Sequence, residues 1–109
     1  MAARKRVEEL RENAHTADGK AELSEALLIW SYALHRDGRT ADAVDAAEEG
    51  IRILSPLFLA DPHRLREEMN ALVSQYLGVC QHSKRKVDMS LIKPLAGPLG
   101  QAEFAGDDD

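Results

Sequence analysis

Residues 23–62 read LSEALLIWSYALHRDGRTADAVDAAEEGIRILSPLFLADP, and this stretch decides the fold. In its first half Leu23, Leu27, Trp30 and Leu34 recur at steps of four, three and four, which sets one apolar stripe along one side of an α-helix. In its second half Val44, Ala47, Ile51, Leu54 and Phe58 do the same. Between them Asp37-Gly38-Arg39-Thr40 interrupts both patterns, and so short a link makes the two helices antiparallel neighbours. Gly38 stands where a residue of positive φ commonly ends a helix; Thr40 can cap the next one, with Asp42 favourable in its first turn. The stretch closes on Asp61-Pro62, a capping side chain followed by the residue best suited to a first helical position.

Small residues crowd the second of these helices: Ala41, Ala43, Ala46, Ala47 and Gly50. A glycine inside a helix costs about 1 kcal/mol relative to alanine, so a neighbour is expected to pack closely at Gly50. Pro56 lacks an N–H and pushes Ser55 away from helical geometry, so the helix is expected to end or kink there. Leu57, Phe58 and Leu59 are too apolar for a free loop and are expected to lie beneath the next helix.

Toward the N-terminus, Ala3–His15 forms a helical pattern with a narrow stripe of Ala3, Val7, Leu10, Ala14 and Ala17. Asp18-Gly19 breaks it, and Asp18 reads as the cap of a helix from about Ala21 to Arg36. Toward the C-terminus, His63 to about His82 carries Leu65, Met69, Leu72, Tyr76 and Val79, with Leu77 and Cys80 broadening the stripe. A short fifth helix, Lys84–Ile92, is expected to stop at Pro94. The Gly/Pro-rich and finally acidic residues 94–109 are expected to be disordered, leaving a helical domain over residues 1–93. In such a tail Leu91, Ile92, Leu95 and Leu99 could anchor a docking peptide.

Composition agrees with an all-α class. The 109 residues suffice for one domain, 44% are hydrophobic, and the β-branched residues are too scattered for strand alternation. A net charge of −5 argues against nonspecific nucleic-acid binding, whose affinity comes from neutralising phosphates. The basic clusters Arg4-Lys5-Arg6 and Lys84-Arg85-Lys86 read as a solvated helix face and a helix end. Neither a secretory apolar segment nor a run of membrane-spanning length is present in the sequence, and the single Cys80 allows no internal disulfide, so a cytoplasmic protein off the membrane is expected.

Catalytic chemistry finds little footing. His15, His35, His63 and His82 are scattered without zinc-ligand spacing, and no phosphate-cradling glycine loop occurs, so neither metal nor cofactor is expected. Cys80 and His82 lie two apart on a helix and point in different directions, which favours Cys80 as a small core residue over a nucleophile. Asp42, Asp45 and Glu49 share a helix face and read as a solvated acidic surface rather than a carboxylate site. The chain is not expected to be an enzyme.

The arrangement Trp30-Ser31, Leu34, Gly38-Arg39, Ala43, Ala47, Gly50 and Asp61-Pro62 resembles the tetratricopeptide repeat, a helix–turn–helix unit of about 34 residues, in the elongated form common in bacterial proteins. Leu77-Gly78 resembles the start of a second copy, though Lys84-Arg85-Lys86 stands where a turn glycine belongs and Pro94 truncates the second helix. The resemblance implies a short α-solenoid of four to five helices, stacked as antiparallel hairpins, that acts as a protein-interaction scaffold. It further implies that the first helix of each pair lines a concave face binding a protein or peptide: Glu25, Leu28, Tyr32, His35 and Arg36, with Gln75, Val79, His82 and Ser83. The plain alternative is that these are ordinary surface residues. Open repeat ends imply self-association through Leu10, Leu91 and Ile92. The competing expectation is a helical-bundle subunit or assembly factor with that face buried.

Overall fold

Thr16, not Asp18, starts the second helix. Its hydroxyl accepts a hydrogen bond from the Gly19 N–H at 3.0 Å, and its backbone is extended (φ −106°, ψ 167°), the geometry of an N-cap. The computed structural model describes residues 2–103. It has α1 at Ala2–Asn13, α2 at Ala17–Arg36, α3 at Thr40–Ala60, α4 at Pro62–Ser83 and α5 at Met89–Glu103. The break expected at Asp18-Gly19 is therefore corrected: Asp18 sits in the first turn of α2, where its charge suits the helix dipole. Among the described residues every regular element is an α-helix.

Gly38 behaves as expected. It adopts φ +84°, its N–H bonds to the His35 carbonyl at 3.0 Å, and the Arg39 N–H reaches back to Leu34 at 2.8 Å. These are the paired bonds of a Schellman end, which satisfy the last carbonyls of α2. Arg39, rather than Thr40, occupies the cap position of α3, and no side chain caps it. The Thr40 hydroxyl instead lies 3.1 Å from His35 Nδ1, while Arg39 closes the first turn onto Asp42 at 2.7 Å.

Helix α3 does not end at Pro56; it runs to Ala60. Leu54 and Phe58, on either side of the proline, are both fully buried. Burying these two side chains contributes about 3–6 kcal/mol together, which offsets the roughly 3 kcal/mol that a proline costs inside a helix through its missing N–H and the clash of its ring with the preceding turn. Phe58 thus enters the core as expected, whereas Leu57 is half-buried and Leu59 is 44% exposed. Asp61 then separates α3 from α4, donating its backbone N–H to Leu57 and Phe58, and Pro62 opens α4.

The helices pack mainly on their neighbours in sequence: α1 on α2, α2 on α3, α3 on α4. Helix α2 also touches α4, and α5 rests on both α3 and α4. Both links to α3 are antiparallel, with Ser31 reaching Ala43 and Glu48 reaching Tyr76, so α2 and α4 run parallel. The three long helices converge at Gly50. A Cβ there would lie 2.8 Å from Leu72 Cδ2 and 3.5 Å from Leu27 Cβ, which is the close approach its position in a helix implied.

The fifth helix is the largest departure from expectation. It begins at Met89, after an irregular stretch, and passes through Pro94 and Pro98 to Glu103. Leu95 and Leu99, four residues apart, are buried, and Leu91 and Ile92 pack partly against the same core. The leucines read as anchors for a foreign protein are thus anchored on this chain. Residues 104–109 lie outside the described residues.

Candidate functional site

The parallel α2 and α4 present a common surface. From α2 it takes Glu25, Leu28, Tyr32 and Arg36; from α4 it takes Glu68, Ala71, Gln75 and His82, at the helical spacing that keeps each set on one side. Gln75 holds the two together: its side-chain N–H donates to Ser31 Oγ at 3.1 Å, and that hydroxyl donates to the Ala43 carbonyl at 2.8 Å. Ser31 is fully buried, so its two hydrogen bonds fix the spacing of α2, α3 and α4 at one point.

Below this clamp the surface opens. Leu28, Ala71 and Leu72 form the apolar floor of a depression of about 190 Å³, rimmed by Glu25, Glu67 and Glu68. A neighbouring hollow of about 310 Å³ continues it past Glu22 and Arg64. Above the clamp the rings of His35 and His82 stack, with centroids 4.9 Å apart and planes 13° from parallel. Tyr32 is 48% exposed and Ile29, at the outer edge of the stripe, 50% exposed.

No family model, curated protein or solved structure matches this chain.

Of the residues the sequence pointed to, Glu25, Leu28, Tyr32, His35, Arg36, Gln75 and His82 all reach this surface, and Ser83 is half-buried beyond it. Val79 does not. It is 2% exposed because it continues the α4 core stripe of Leu65, Met69, Leu72 and Tyr76. Sequence reading missed Ile29, Glu67, Glu68 and Ala71. The signal for Ile29 was available: it is a large apolar residue standing off the Leu23, Leu27, Trp30, Leu34 stripe.

The other candidate chemistry is internally satisfied. Asp42 pairs with Arg39, Asp45 with Arg85 at 2.6 Å, and Glu49 accepts hydrogen bonds from Arg11 Nε and Nη2, so the acidic face of α3 is neutralised by arginines from three directions. Arg11 also lies over the Trp30 ring, 6.0 Å from its centroid. Burial pushes the Cys80 thiol up, against the thiolate a nucleophile needs, and the His82 ring is engaged with His35 instead. Among the described residues no His, Cys, Asp and Glu cluster could hold a metal ion, and no helix is long and apolar enough to cross a membrane.

Proposed function

We propose that this chain is a non-catalytic interaction module, tetratricopeptide-like in design, that binds a protein or peptide along the α2–α4 face. The observation that carries this reading is the half-exposure of Tyr32 and Ile29 beside the open floor of Leu28 and Ala71. Tyrosine and arginine are enriched where binding energy concentrates, and Arg36 stands next to Tyr32 on this face with no ion-pair partner among the described residues. Support for the repeat-like design comes from the sequential packing of the helices and the Schellman turn at Gly38. The compartment proposed with it is the cytoplasm.

Replacing Tyr32 and Arg36 together by alanine tests the reading. The expected outcome is loss of proteins captured by the native chain, with the thermal melt unchanged. A bundle subunit whose face is internally packed would instead melt lower. Leu59, Leu77 and Met89, 42–51% exposed and away from this face, favour that second reading as far as they offer further apolar surface to a larger assembly.

A further inference from the structure

Resting on that reading, we infer that the segment taken up by the α2–α4 face is amphipathic and basic, with its cations at the end where the two helices begin. Two features of the groove combine. Its floor is apolar, built from Leu28, Ala71 and Leu72, and asks for aliphatic or aromatic side chains. Its rim at the N-terminal halves of α2 and α4 is made of Glu25, Glu67 and Glu68, which have no hydrogen-bond or ion-pair partner among the described residues.

The contrast with the rest of the surface gives this meaning. On α3 the carboxylates of Asp42, Asp45, Glu48 and Glu49 each face an arginine. In the groove the local cation, Arg64, turns to Asp18 at 3.4 Å, and Arg6 reaches Glu22 only at 4.0 Å. The groove carboxylates are thus left to a partner. At the opposite end the same face carries Arg36 and the stacked His35 and His82. Ten residues of α2 separate Glu25 from His35, a rise of about 15 Å, so the face is acidic at its groove end and carries the cation of Arg36 at the other, over the length of a short peptide. That polarity sets direction: lysines or arginines of the ligand lie beside Glu25, Glu67 and Glu68, its apolar side chains lie over Leu28 and Ala71, and its acidic or carboxyl end lies toward Arg36.

The test uses the full chain and two synthetic, fluorescein-labelled amphipathic helical peptides with one leucine pattern, one carrying lysines and the other glutamates at the polar positions. Fluorescence anisotropy is expected to show binding of the lysine peptide alone, weakening as salt is raised. Amide shifts in a ¹⁵N spectrum are expected at Leu28, Tyr32, Ala71 and Gln75. Glu25→Gln, Glu67→Gln and Glu68→Gln combined are expected to weaken binding about tenfold or more; Glu8→Gln, Glu9→Gln and Glu12→Gln in α1 remove as much charge and are expected to leave it unchanged. Equal losses in both triple variants overturn the inference, because the attraction is then a property of net charge. Binding of the glutamate peptide with shifts on this face also overturns it, while leaving the face itself as the binding surface. Shifts elsewhere overturn both. Dimerisation by light scattering that Tyr32→Ala abolishes makes a second copy the occupant and overturns the basic-segment inference alone.

Discussion

Helices α2 and α4 end in the same way and lead to different things. At both ends a residue of positive φ, Gly38 or Lys84, donates its N–H three residues back, and the next residue, Arg39 or Arg85, reaches five back, to Leu34 or Cys80. After Gly38 the chain is helical again at Thr40. After Lys84 it runs irregularly until Met89. The first turn follows from a residue that enters left-handed backbone at no steric cost. The second is imposed on a lysine by what comes after it: Arg85 pairs with Asp45, Asp88 receives Arg52 at 3.6 Å and donates its N–H to the Tyr76 hydroxyl at 2.8 Å, and the Asp88 carboxylate caps α5 through Ser90. One turn is written locally and the other is held by tertiary contacts.

The largest effect that can break the comparison comes from the far side of the Lys84 turn. Leu95→Ala removes a fully buried side chain and is expected to cost about 2–5 kcal/mol in urea unfolding; a loss under about 0.5 kcal/mol would mean that α5 does not share the core. Tyr76→Phe comes next. It deletes the hydroxyl that accepts from Asp88 and donates to Glu48 at 3.0 Å, and about 1–3 kcal/mol is expected, with hydrogen exchange accelerated in α5 before α2 and α3.

Tyr76 also gives a pH signature. Burial first, and then the hydrogen bond and charge of Glu48, push its phenol up to about 12, against about 10 in an unfolded chain. The fold therefore favours the protonated phenol. Its contribution is complete below pH about 10 and is lost as pH rises toward 12, because the unfolded chain releases the proton first. Denaturation midpoints taken across that range should fall more steeply for the native chain than for Tyr76→Phe.

Smaller effects sharpen the contrast between the turns. Gly38→Ala meets no atom within 4 Å, so its expected cost, about 1–2 kcal/mol, is backbone strain alone. Lys84→Gly should move the other way, raising stability by less than about 1 kcal/mol as a left-handed lysine is relieved. If both substitutions destabilise equally, the two turns are held by the same means after all.

The same division explains what could be read from the residues. The all-α class, the α2–α3 hairpin, Gly38 and the crowding at Gly50 follow from periodicity and local backbone preference. Helix α5 was hidden because Pro94 and Pro98 speak against a helix locally, while the burial of Leu95 and Leu99 that outweighs them exists only once α3 and α4 are in place. Pro56 misled for the same reason, with Leu54 and Phe58 deciding. On the candidate face, helical spacing placed seven of the nine residues read as binding at the surface; Ser83 is half-buried beyond it, and Val79 belonged to two overlapping stripes and packing took it. The carboxylates of α4 went unremarked because only three dimensions bring Glu67 and Glu68 beside Glu25.

The meeting of Leu72 with Gly50 has a consequence for the order in which the chain assembles. Most contacts join one helix to the next, so α1, α2 and α3 can collapse together as soon as they have been synthesised. What they form has a notch at Gly50, walled by Leu27, and the residue that fills it arrives a full helix later. Until α4 closes on it, that notch stays open in the newborn chain, as part of the apolar surface that the fourth helix will cover.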